Sequence, residues 1–68
     1  MRVALYGASG KVGALLVPAL AEAGHEVVDA RASGPEGCDA AVDFTRPNAV
    51  AGNVAACLSA GVPVVIGT

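Results

Sequence analysis

The sequence is poor in the residues that mark most macromolecular partners. Tyr6 and Phe44 are its only aromatic residues and tryptophan is absent, so no platform exists on which successive bases could stack. Four Lys and Arg stand against six Asp and Glu, a net charge of −2, which leaves no basic stripe for a phosphate backbone and argues against a nucleic-acid partner. No apolar run approaches the roughly 20 residues needed to cross a bilayer. The apolar stretch at the amino terminus stops at Gly7, short of the core of about 7 to 15 residues that a secretory signal requires. No membrane partner is expected, and a cytoplasmic location is the default. Cys38 and Cys57 lie far apart, without C-x-x-C spacing, and offer neither a redox motif nor half a zinc site. The single histidine, His25, has only Glu26 for company, so no metal is expected.

What is present is apolar. Hydrophobic residues make up 54% of the 68 and charged residues 15%, which excludes a disordered tail. A chain this short hides only about 60% of the surface it exposes when unfolded. The expectation is a piece of something longer, with much of its surface intended for cover.

Periodicity divides the chain into alternating elements. Arg2 to Tyr6 is continuously apolar after its first residue, as in a parallel strand buried on both faces. From Lys11 to Ala23, the residues Val12, Leu15, Leu16, Ala19, Leu20 and Ala23 form one helical stripe with Gly24 as its stop. Pro18 interrupts that stripe and predicts a bend, since proline inside a helix costs about 3 kcal/mol or a kink. His25 to Arg31 reads as a second strand, Ala32 to Asp39 as a loop with Ser33-Gly34-Pro35-Glu36-Gly37 at its centre, and Ala40 to Phe44 as a third strand. Pro47 suits the first turn of a helix capped by Thr45 or Arg46. That helix runs to about Ala60, with Val50, Val54, Cys57 and Leu58 on one side and Gly61 closing it. Val62 to Ile66 is the fourth strand, with Pro63 tolerable near its start. The fold class is α/β, a Rossmann-like doubly wound parallel sheet of order 2-1-3-4, four strands and two helices, incomplete. Right-handed crossovers put its two helices on opposite faces.

Ligands in such sheets bind beyond the carboxyl ends of the strands, where the winding reverses. Those ends are Gly7 to Gly10, Arg31 to Ser33, Thr45-Arg46 and Gly67-Thr68. The first carries Gly7-Ala8-Ser9-Gly10-Lys11-Val12-Gly13 on a strand-to-helix turn. The first glycine permits the tight turn, the second lets the main chain approach a diphosphate, and the third lets helix and strand pack closely. The ATPase phosphate loop is set aside, because Val12 and not Ser or Thr follows Lys11. Asp29 is the acid nearer the tip of the second strand and is expected to stop short of that tip. Arg31 and Ser33 lie nearer, and a guanidinium with a hydroxyl favours a 2′-phosphate, hence NADPH over NADH. Asp43 is expected to accept backbone N–H groups at the turn that follows it.

The glycine turn, then Val42-Asp43-Phe44-Thr45-Arg46-Pro47 opening a helix, then Gly61 followed by Val64-Val65-Ile66-Gly67-Thr68, together resemble the amino-terminal half of the dihydrodipicolinate reductases. The resemblance implies NAD(P)H-dependent reduction of 4-hydroxy-tetrahydrodipicolinate, a cyclic dicarboxylate, on the route to diaminopimelate and lysine. It implies that residues 1–68 are part of an NAD(P)-binding domain, that Gly7, Ala8, Ser9, Gly10, Lys11 and Val12 hold the diphosphate, and that Gly67 and Thr68 begin the loop beside the nicotinamide. The family's acidic ribose-binding residue falls on Ala32, with Ser33 after it. The family's catalytic and substrate-binding region and the sheet that forms its homotetramer have no counterpart here, so no residue is assigned catalysis, and the 68 residues alone are expected to bind dinucleotide weakly and turn nothing over. Two other readings of the same glycine turn stand beside this one: an atypical short-chain reductase-like NAD(P)-binding protein, and a non-catalytic dinucleotide-binding module.

Overall fold

The computed structural model describes residues 1–67. Strand β1 (Arg2–Tyr6) is followed by helix α1 (Lys11–Glu22), β2 (Glu26–Asp29), the short helix α2 (Ala30–Ser33), β3 (Ala40–Asp43), α3 (Pro47–Ala60) and β4 (Val64–Ile66). All strand pairs are parallel, in the order β2-β1-β3-β4. The winding therefore reverses between β1 and β3, as the sequence predicts, and every strand presents its carboxyl end to the same edge.

Alternation along β1 sorts the core into two faces. Ala4 and Tyr6 join Ala30, Ala41, Cys57 and Val62 in one buried cluster beneath α3. Ala4 and Ala41 pair in register, and two methyl groups side by side leave room for the Cys57 face of α3 to settle against the sheet. Val3 and Leu5 point to the opposite face and are also buried, on the side that a right-handed crossover gives to α1.

Several boundaries and one helix face differ from the sequence-based expectation. The second strand ends at Asp29 and not at Arg31, and Ala30 to Ser33 form a helical turn where a strand tip and loop were predicted. The cause is local: the Asp29 carboxylate accepts the Arg31 N–H at 3.0 Å and caps α2. Asp29 is thus the tip residue, contrary to the expectation that it stops short. The third strand is one residue shorter than expected and β4 begins at Val64. Arg46, without a side-chain cap, is the N-cap of α3, and Gly61 ends that helix in the left-handed conformation with φ 69°.

The predicted stripe of α1 is rotated. Val12 and Leu15 are 47% and 74% exposed, whereas Gly13 is buried and Leu16, Val17 and Leu20 are half-buried. A Cβ on Gly13 would overlap the Gly7 carbonyl oxygen. The helix touches the turn at its one side-chain-free position, and that contact, not the apolar count, sets which face turns inward. Leu58 of α3 likewise points outward, 74% exposed, and Val65 and Ile66 are open on the edge strand β4. α1 runs as one helix through Pro18.

Candidate dinucleotide site

An open cleft of about 1180 Å³ lies along the carboxyl edge of the sheet, between the β1–α1 turn, α2 and the segment after it, and the β3–α3 turn. Gly7, Ala8, Ser9 and Gly10 form one wall, with Asp29, Arg31 and Glu36 at the β2 end and Phe44, Thr45 and Asn53 at the β3 end.

The turn is shaped by its glycines. Gly7 has φ 91°, a conformation that side chains rarely adopt, and a Cβ there would stand 2.7 Å from the Phe44 carbonyl oxygen. Gly10 has ordinary extended dihedrals as the N-cap of α1, and a Cβ on it would meet only the Gly7 oxygen, at 3.4 Å. Its freedom is spatial: what a side chain would occupy is the cleft. The Gly10 N–H closes the turn on the Gly7 oxygen at 3.0 Å and Ala14 N–H returns to the Gly10 oxygen at 2.8 Å. Among the described residues, the N–H groups of Ala8, Ser9, Lys11 and Val12 donate to no protein acceptor, and no side chain caps the helix. A helix start with its first N–H groups unspent and its dipole uncapped is a seat for an anion.

The sequence-predicted residues are not all gathered in one place. Gly7, Ala8, Ser9, Gly10 and Arg31 line the cleft. Lys11 and Val12 are exposed at the head of α1, outside the lining. Arg31 and Ser33 sit on α2 and not on a strand tip, and the Ser33 hydroxyl is turned back to the Asp29 carbonyl oxygen at 3.3 Å. Gly67 follows β4, its N–H donating to the Asp43 carbonyl oxygen at 2.8 Å, with the Phe44 ring over its α-carbon, 2.5 Å from where a Cβ would be. Thr68 lies outside the described residues.

Asp43 is fully buried and both oxygens of its carboxylate are hydrogen-bonded. It accepts from Thr45 N at 2.8 Å and Thr45 Oγ1 at 2.5 Å on one oxygen, and from Asn53 Nδ2 at 3.0 Å on the other. Burial pushes its pKa up, but the Thr45 hydroxyl, the Asn53 amide and the Thr45 N–H together outweigh that and hold it below 3.8. The expectation that Asp43 receives the turn's backbone N–H holds, yet Asn53 was missed. The signal was there: a polar residue on the inward side of α3, one turn from Val50 and Cys57. Glu36, within the loop segment, was missed for want of any pattern. Tyr6, beneath the cleft, has its hydroxyl pushed up to about 12, mainly by burial and then by the adjoining Cys57. Among the described residues, no cluster of metal-ligating side chains occurs and no helix is long and apolar enough to cross a membrane.

Comparison with known proteins agrees with this geometry. The family described as dihydrodipicolinate reductase, N-terminus, matches residues 29–68. Relatives named 4-hydroxy-tetrahydrodipicolinate reductase occur in Corynebacterium efficiens, 36% identical over 100% of this chain and 31% of the relative, and in Thiobacillus denitrificans, 44% identical over 96% of this chain and 27% of the relative. One from Natronomonas pharaonis is 36% identical over 100% of this chain and 35% of its own length. The chain spans about a third of the length of the curated relatives it matches. A parallel sheet reversing at β1 and β3, an uncapped glycine turn at the reversal, and a family match over more than half of the residues agree: the chain belongs to the dihydrodipicolinate reductase family and matches its amino-terminal domain.

Proposed function

We propose that this chain holds the diphosphate of NADPH or NADH on the turn Gly7 to Val12, and that the protein carrying it reduces 4-hydroxy-tetrahydrodipicolinate to tetrahydrodipicolinate in the synthesis of diaminopimelate and lysine. The observation that carries the binding step is the set of unspent N–H groups at Ala8, Ser9, Lys11 and Val12 beside a Gly10 whose absent side chain leaves the cleft open. The relatives' names supply the substrate. When bound, the nicotinamide supplies a hydride; the part of residues 1–68 is to hold and orient it. The catalytic and carboxylate-binding groups belong to a further domain, which binds the dicarboxylate, and the whole protein is a homotetramer in the cytoplasm.

NADPH is the preferred dinucleotide. Arg31 lines the β2 end of the cleft, and one oxygen of Asp29 is already engaged in capping α2, which favours a guanidinium–phosphate contact over a carboxylate–ribose one. Glu36 lines the same end and opposes it. Replacing Arg31 with alanine should therefore lower the affinity for NADPH relative to NADH, and Glu36→Gln should raise it.

Titration of the protein with each dinucleotide, read by nicotinamide fluorescence, tests the proposal. Saturable binding that Gly10→Val abolishes is the expected result. Absence of binding to either dinucleotide at millimolar concentration rejects it.

A further inference from the structure

The turn opposite the glycine loop is tied from within. Phe44 and Thr45 follow Asp43 directly, and Phe44 touches both ends of the candidate site: its N–H donates to the Tyr6 carbonyl oxygen at 3.1 Å, its carbonyl stands against Gly7, and its ring covers Gly67. A displacement of this turn by a few tenths of an ångström alters the wall facing the diphosphate seat and the approach to Gly67 together. What fixes the turn is a closed triangle of side chains. Asn53 Nδ2, seven residues into α3, reaches the Asp43 carboxylate at 3.0 Å and Thr45 Oγ1 at 3.3 Å, while Thr45 donates twice to the same carboxylate.

A carboxylate so close to an anion seat is electrostatically awkward. Its retention is explained by acceptor count: two oxygens take three donors, where an amide at position 43 has one acceptor oxygen and would turn an N–H₂ group against that of Asn53. Pairing of both oxygens also offsets the cost of keeping the charge in a fully buried position.

We propose that Asp43 and Asn53 are positioning residues of the dinucleotide site: their carboxylate–amide contact holds the Phe44–Thr45 turn at the spacing from Gly7 that the bound diphosphate requires. The inference rests on the dinucleotide-binding function proposed above. Neither residue touches the reacting atoms. Loosening the pair weakens the binding of the dinucleotide and raises its KM, leaving kcat close to its original value.

The test uses the whole protein and three variants: Asn53→Ala, the exchange Asp43→Asn with Asn53→Asp, and Val62→Ala as a control. The exchange keeps the contact between positions 43 and 53 and both Thr45 bonds to residue 43, since the new amide at 43 donates to the new carboxylate at 53 and accepts from Thr45 with its one oxygen; only the bond from residue 53 to Thr45 Oγ1 is lost. Val62 is buried before β4, at the opposite end of the sheet from the site, and reports what a general loss of stability does. Expected for Asn53→Ala is a roughly tenfold weaker dinucleotide affinity, the scale of one charge-assisted hydrogen bond, with kcat within about twofold. Val62→Ala at a similar drop in Tm should change affinity less than about twofold, and the exchange should recover most of what Asn53→Ala lost. Equal affinities in Asn53→Ala and the original protein, equal losses in Asn53→Ala and Val62→Ala, or a folded exchange variant no better than Asn53→Ala would each overturn the proposal. An original protein that binds neither dinucleotide overturns the function on which it rests, a result distinct from those three.

Discussion

The carbonyl oxygen of Phe44 stands 2.7 Å from the place a Cβ on Gly7 would take, so the two turns that flank the winding reversal meet backbone to backbone. Residue 7 is glycine for two reasons at once, its positive φ and that contact. Residue 10 is glycine for neither, because it faces the cleft.

Those different grounds separate fold from ligand. Gly7→Ala should destabilise the protein by about 1–3 kcal/mol, combining left-handed strain with a backbone collision. Gly10→Val, which costs only the poorer helix cap that valine makes, should lower the thermal midpoint less than Gly7→Ala while abolishing dinucleotide binding. Thermal denaturation and fluorescence titration of the two variants side by side check the contrast.

Gly13→Ala offers a third outcome. Inside an exposed helix the change would gain about 1 kcal/mol. Here the added methyl overlaps the Gly7 carbonyl oxygen, and the expected sign is reversed, a loss of about 1–3 kcal/mol from overpacking. Chemical denaturation measures it directly.

Asp43 makes stability depend on acid. Its folded-state pKa is depressed, so the stabilisation it contributes is fully present above the unfolded value of about 3.9 and drains away as pH falls through the folded one. Stability measured from pH 5 downward should decline, and Asp43→Asn should flatten that part of the profile while lowering the plateau above it.

Tyr6 acts at the other end of the scale. Its pKa, raised from 10.0 to about 12, contributes stability that is present below pH 10 and lost as pH rises toward 12. As the only tyrosine in a chain without tryptophan, it can be followed by the absorbance of its phenolate, whose midpoint in the 68-residue chain should lie near 12 and return to about 10 in denaturant.

The course of the chain was legible from its residues. Continuous apolar runs gave parallel strands, glycines and Pro47 gave the punctuation, and the glycine turn together with the Asp43 to Pro47 segment announced both the reversal and the family. What failed to show was local competition and rotation. Periodicity places Asp29 within a strand, because it carries no record that its side chain caps the next turn. A stripe counts apolar positions equally and so turns Val12 and Leu15 inward, whereas the close approach of Gly13 to Gly7 rotates the helix about its axis.

By itself, the sequence determined the element order, the parallel sheet and the place of the glycine turn, since each follows from short-range pattern and from the handedness of crossovers. Only the tertiary structure decided that Asn53 reaches Asp43, that Phe44 lies between Gly7 and Gly67, and which face of α1 is buried. These are contacts between residues distant in the chain, where the outcome depends on how closely two backbones can approach, and no periodicity along the chain encodes that distance.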